Sequence, residues 1–152
     1  MLACLTLLTL VCVSRPPSAA TIHVPDEQPT IQAGIGAAST GDTVLVSCDT
    51  YYEHDIVMKS GVCLMSETGI ADCVTIDAQQ QGRVFYCSNV DSLTNVVGFT
   101  VTGGFTDSVD EHSGAGMYCD SSSPKLRDCA FVGNQAVREY RGHGGGLYCT
   151  AS

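Results

Sequence analysis

Beyond Asp42 the chain alternates short apolar runs with turn residues: Thr43 to Ser47, Ile56 to Met58, Val62 to Met65, Val74 to Asp77, Val84 to Cys87, Val96 to Thr102, Met117 to Cys119, Leu126 to Val132 and Gly146 to Cys149. None exceeds seven residues. Apolar side chains alternate within them, and Gly, Asp, Asn and Ser separate them, which predicts strands buried on one face. Ahead of this series, Thr21 to Val24 is another strand-like run, ended by Pro25, Asp26, Glu27, Gln28 and Pro29. From Thr30 the period changes. Ile31, Ile35 and Ala38 share one helical face, Thr30 can cap it and Gly41 can stop it, so a short amphipathic helix is predicted from about Thr30 to Ser39, weakened by Gly34 and Gly36. No second helical pattern of useful length follows, which argues against ordinary βαβ folds. Gly34-Ile-Gly36-Ala-Ala-Ser39 imitates a dinucleotide fingerprint, but the third glycine and the βαβ spacing are both missing.

The runs are also self-similar. Gly114-Ala-Gly-Met-Tyr-Cys119 recurs thirty residues later as Gly144-Gly-Gly-Leu-Tyr-Cys149, and a degenerate copy, Gly82-Arg-Val-Phe-Tyr-Cys87, lies thirty-two residues earlier. Val96, Phe99, Val101 and Gly103 match Leu126, Cys129, Phe131 and Gly133 at the same offset of thirty. Two separate strands keeping one offset define a structural period of stacked units, none of which can bury a core alone. Like strands are then expected to lie above one another in parallel, about 4.8 Å apart. Cys119 should sit over Cys149 and Val96 over Leu126. Cys87, Cys119 and Cys149 should form an interior ladder beside Phe85, Met117 and Leu147, with Tyr86, Tyr118 and Tyr148 facing outward.

Two features bear on compartment. Met1 to Val13 is apolar apart from Thr6, Thr9 and two cysteines, and Arg15, Pro16, Pro17, Ser18, Ala19 and Ala20 follow. The run is too short to span a bilayer, and Ser18 and Ala20 suit a cleavage site, so residues 1–20 read as a signal peptide. No Lys or Arg precedes the run, which leaves the true start open to lying upstream. The pattern therefore divides the chain into a leader over 1–20, a strand and capping helix over 21–42, and repeats over 43–152. Seven Lys and Arg against sixteen Asp and Glu give a net charge of −9, without clustered positive charge, which disfavours nucleic acid and unaided binding to anionic polymers or membranes. Beyond the leader lie seven cysteines, none in a two-residue zinc-knuckle spacing. Disulfides, a reactive pair and buried thiols all stay open, and the alternation favours buried thiols in the ladder.

At these residues the chain resembles the right-handed parallel β-helix, or pectin-lyase-like, superfamily, and within it bacterial exported repeat proteins. The carriers are Ile22-His-Val-Pro-Asp-Glu-Gln-Pro-Thr-Ile-Gln-Ala33, Gly41-Asp-Thr-Val-Leu-Val46 and Tyr51-Tyr-Glu53, similar to that group's N-terminal cap and first coil. Phe131-Val-Gly-Asn134 and Gly144-Gly-Gly-Leu147 are similar to the paired motifs of polymorphic outer-membrane proteins. The chain departs from such caps at Gly34 and Gly36, and at Ser47-Cys48-Asp49 in place of a Pro-Gly turn. The resemblance implies an all-β, right-handed parallel β-helix solenoid with a short capping α-helix, truncated at the C-terminus because the repeats stop on a strand at Ser152. It also implies export, with secretion, the cell surface, the outer membrane and the periplasm all open as destinations.

Activity is less determined, because this fold hosts many functions. Gly142-His143-Gly144 matches one element of polygalacturonase-like hydrolases, but the Asn-Thr-Asp, Asp-Asp and Arg-Ile-Lys elements are missing. Asp107, Asp110, Glu111 and His112 occupy the loop before Gly114, and the equivalent loop one unit later carries Arg138, Glu139, Arg141 and His143. Stacking would bring Asp107, Asp110, Glu111, His112, Arg141 and His143 together, either as a ligand site for glycan or calcium or as a solvated patch of opposite charges. The reading is a non-catalytic exported module offering a flank for adhesion or polysaccharide contact. No cofactor is expected apart from calcium at that loop pair, and the remaining coils of a longer chain are the expected neighbours. The alternative is the N-terminal part of a polysaccharide lyase or glycoside hydrolase whose active coils lie beyond residue 152.

Overall fold

The structure, a computed structural model, describes residues 18–107, 113–137 and 144–150. The expected leader thus falls almost wholly outside the described residues. The chain runs through β1 (Thr21–Val24) into α1 (Ile31–Ala37). It then passes round repeatedly. The first pass carries β2 (Thr43–Val46), β3 (Asp49–Tyr51) and β4 (Ile56–Val57), and the second β5 (Cys63–Ser66), β6 (Val74–Asp77) and β7 (Phe85–Ser88). The third carries β8 (Asn95–Val97), β9 (Thr100–Thr102), β10 (Phe105–Thr106) and β11 (Met117–Asp120). The fourth carries β12 (Lys125–Arg127), β13 (Ala130–Val132), β14 (Gln135–Ala136) and β15 (Leu147–Thr150).

Strands of equal rank lie side by side, in the orders β1-β2-β5-β8-β12, β3-β6-β9-β13 and β4-β7-β11-β15, with β10 and β14 as a separate pair. Every pairing among the described residues is parallel, so this is a mainly-β parallel fold with one short helix. The register is the one the repeat predicts: Cys119 faces both Cys87 and Cys149, and Val96 faces Leu126. Two expected runs are each split in two. Val96 to Thr102 breaks at Gly98, whose φ of 82° takes the chain round a corner, and Leu126 to Val132 breaks at Asp128, φ 50°. The short strands β3, β10 and β14 escaped the pattern because runs of two or three mixed residues carry no period.

Inward-facing side chains stack by rank. Val44, Leu64 and Val96 form one row and Phe85 with Met117 another, and all five are essentially inaccessible to water. Each such side chain contributes roughly 1.5 to 3 kcal/mol through burial. The fourth pass is covered on one side only among the described residues. Leu147 is 41% exposed and Cys149 is exposed, whereas the sequence reading placed both in the interior ladder. The tyrosines stand on the outer face of the same sheet and are half-buried.

The helix covers the first pass. Ile31, Ile35 and Ala38 are buried as their spacing predicts, and the Thr30 hydroxyl accepts from the Ala33 amide at 3.1 Å. Glu53, reaching from beyond β3, accepts from the Ile31 and Gln32 amides at 2.7 and 3.0 Å. Gly34 lets α1 approach the strands, since a Cβ there would lie 2.8 Å from Val44 Cγ1 and 3.0 Å from Val24 Cγ2. The departure at Ser47-Cys48-Asp49 is also explained. Cys48 is disulfide-bonded to Cys73 across adjacent passes, and the Tyr51 hydroxyl donates to the Ser47 carbonyl at 3.0 Å. That bond corrects the expectation of buried free thiols for these two cysteines. Asn134 holds the last described corner by accepting from the Gly104 amide and donating to the Val101 carbonyl, both at 2.9 Å.

Candidate functional site

Parallel stacking sets equivalent loops side by side, and three of them enclose a polar cleft of about 320 Å³. Asp55, just ahead of β4, supplies one wall. Gln80, Gln81, Gly82 and Arg83, between β6 and β7, supply the second, and Phe105, Thr106 and Asp107 the third. The second wall is a tight turn. Asp77 Oδ1 accepts from the Gln79 amide at 2.8 Å, and the Gln81 amide donates to the Ala78 carbonyl at 2.9 Å. Gln79 and Gln80 take left-handed φ values of 51° and 61° to make it, and Asp55 across the cleft sits at 52°. Left-handed backbone costs a non-glycine residue roughly 1 to 2 kcal/mol, so the surrounding hydrogen bonds must hold it.

Those bonds cross between passes. The Gln80 amide donates to the Gly103 carbonyl at 2.7 Å, the Phe105 amide to the Gly82 carbonyl at 2.8 Å, and the Asp55 amide to the Arg83 carbonyl at 2.6 Å. The Asp55 carboxylate accepts from the Arg83 amide at 3.3 Å and pairs with His54 Nδ1 at 2.9 Å. A Cβ at residue 82 would lie 2.5 Å from Asp55 Oδ2, so glycine is what lets the carboxylate rest against the turn. Arg83 is only 6% exposed. Its Nε donates to the Ser113 carbonyl at 3.2 Å, and its guanidinium carbon lies 4.8 Å from the centre of the Tyr118 ring. The arginine therefore ties the cleft wall to β11 and its tyrosine.

Thr106 lines the cleft, is 5% exposed, and its buried Oγ1 has no hydrogen-bond partner among the described residues. A buried hydroxyl left unbonded costs roughly 1 to 3 kcal/mol. Carboxylates and primary amides on the walls can donate and accept hydrogen bonds with a polyhydroxylated ligand, while half-buried Phe105 adds apolar surface. The His54–Asp55 pair lies on the surface beside this wall, with side chains 43% and 58% exposed. Among the described residues no hydroxyl or thiol bonds to His54.

Of the residues singled out from the sequence, Asp107 lines this cleft. Asp110, Glu111, His112, Arg141 and His143 lie outside the described residues. Sequence reasoning passed over Asp55, Gln80, Gln81, Arg83 and Thr106. One signal was within reach: Gln79-Gln80-Gln81 precedes Gly82 in its unit just as the acidic loop precedes Gly114 in the next. Among the described residues no group of three or more His, Cys, Asp or Glu is placed to hold a metal ion, and no helix is long and apolar enough to cross a membrane. No family model matches the chain, and neither a curated protein nor a solved structure matches it.

Proposed function

We propose that the chain is a right-handed parallel β-helix module of an exported, secreted or surface protein, and that its flank binds polysaccharide without catalysing its breakdown. The in-register parallel passes and the thirty-residue repeat support the solenoid reading. The observation that carries the binding role is the cleft in which Asp55, Gln80, Gln81 and Asp107 converge from adjacent passes. The net charge of −9 repels polyuronates, so neutral glycans are the favoured class.

The test is titration calorimetry of the chain with neutral oligosaccharides, namely gluco-, manno- and xylo-oligomers, and with oligogalacturonate as the anionic control. Binding of at least one neutral oligomer is expected, weakened about tenfold or more in a Gln80→Ala, Gln81→Ala double variant that melts no lower than its parent. Equal binding by parent and variant, or no binding by the parent, would remove the cleft from consideration. Release of reducing or unsaturated sugar ends would transfer support to the lyase or hydrolase reading.

A further inference from the structure

Cys87, Cys119 and Cys149 form a row across β7, β11 and β15, each opposite the next in parallel register. All three are free thiols, the first two buried and the third exposed. Neighbouring strands lie about 4.8 Å apart, inside the range of roughly 4.4 to 6.8 Å between Cα atoms that a disulfide can bridge. The same relationship already carries a disulfide elsewhere in the molecule. Cys48 and Cys73 immediately precede the Asp49–Val74 pair of β3 and β6, and they are bonded with their Cα atoms 4.8 Å apart. The row differs in having three members, so its central thiol has a neighbour on each side.

We infer that Cys119 is an oxidation site that closes a disulfide to one lateral neighbour at a time, Cys149 or Cys87, stapling β11 to β15 or to β7. The oxidant class is a small disulfide such as oxidised glutathione. The Cys149 thiolate attacks one glutathione sulfur, forming a mixed disulfide and expelling the other half as thiolate. The Cys119 thiolate then attacks the Cys149 sulfur and expels the second glutathione. Two electrons and the two thiol protons leave the protein, and two reduced glutathione molecules carry them. Attack by the Cys87 thiolate on the Cys119 sulfur moves the bond one strand along and frees Cys149, with no net oxidation.

Hydrogen bonding to Cys87, then burial, pushes the Cys119 thiol well up, and burial pushes up Cys149. Both thiols are therefore protonated at neutral pH, and closure quickens about tenfold per pH unit as pH rises towards their titration. The experiment treats the folded chain with oxidised glutathione at neutral and at alkaline pH, removes the oxidant, blocks remaining thiols with iodoacetamide in denaturant, and maps linked peptides by mass spectrometry. Peptides joining Cys119 to Cys149 or to Cys87 are expected. In Cys149→Ser, which removes the exposed entry thiol, the same treatment should leave Cys87 and Cys119 unlinked. In Cys119→Ser, and in Cys119→Ala as a second replacement that keeps the core apolar, no peptide should join Cys87 to Cys149, because two strand spacings, about 9.6 Å, exceed disulfide reach, and Cys149 should instead retain the glutathione that Cys119 would have expelled. Complete alkylation of all three thiols in an oxidant-treated parent that retains the Cys48–Cys73 bond would overturn the inference. A Cys87–Cys149 bond in a folded Cys119 variant would do the same.

Discussion

The rings of Tyr86 and Tyr118 stack with their centres 5.8 Å apart and 2° between their planes, and Tyr148 extends the stack by another 5.8 Å. Tyr118 is thereby flanked by a tyrosine ring on each side. Tyr118 also carries the Arg83 guanidinium that braces the cleft wall.

Replacing Tyr118 with Ala therefore removes two stacking contacts and a cation–π contact together. A loss of about 2 to 4 kcal/mol is expected from denaturant midpoints. Tyr118→Phe, which keeps the rings, should cost less than about 1 kcal/mol. Equal losses in the two variants would show that the hydroxyl, not the stack, matters.

Two glycines of one helix should respond in opposite directions. Gly34→Ala drives a methyl group into Val44 and Val24 and is expected to destabilise by about 1 to 3 kcal/mol. Gly36 has nothing within 4 Å of an added Cβ, so Gly36→Ala should gain up to about 1 kcal/mol from helix propensity alone. Thermal melts of the two single variants decide it, and a stabilising Gly34→Ala would contradict the packing of α1 described above.

The Cys48–Cys73 disulfide closes a loop with a sequence separation of 25. A Cys48→Ala, Cys73→Ala double variant is expected to lose about 3 kcal/mol, chiefly because its unfolded chain is less restrained. Mild reduction of the parent should lower its melting temperature to a similar extent, and should leave the double variant unchanged.

Acid should act through Asp42. Its carboxylate accepts from the Ala20 amide at 2.7 Å and the Ser39 amide at 2.8 Å. The Ala20 amide, then the Ser39 amide, hold its carboxyl below the ordinary value of 3.8. A depressed folded value means that the stabilisation is present above pH 3.8 and is lost as pH falls through the folded value. The stability gap between the parent and Asp42→Ala should thus be constant near neutrality and shrink in acid. Denaturant midpoints measured across the acid range check this, and a gap that widened in acid would reverse the sign.

The thirty-residue offset linking Gly114 to Gly144 and Val96 to Leu126 carried most of the architecture in the sequence alone, because a ladder of like residues needs like residues at a fixed interval. Strand positions, parallel register, outward tyrosines and the helix over Ile31 and Ile35 all follow from periodicity and alternation, which are local properties. The cleft does not. Asp55 belongs to a pass whose length differs from the later repeat, so counting residues never set it beside Gly82 and Arg83. Gln79 and Gln80 adopt left-handed backbone that no propensity assigns to glutamine. Cys48 and Cys73 likewise shared no repeat with the other cysteines, and only the pairing of β3 with β6 made them neighbours. Contacts between passes of unequal length depend on where each corner turns, and the corners are fixed by hydrogen bonds and packing across the stack.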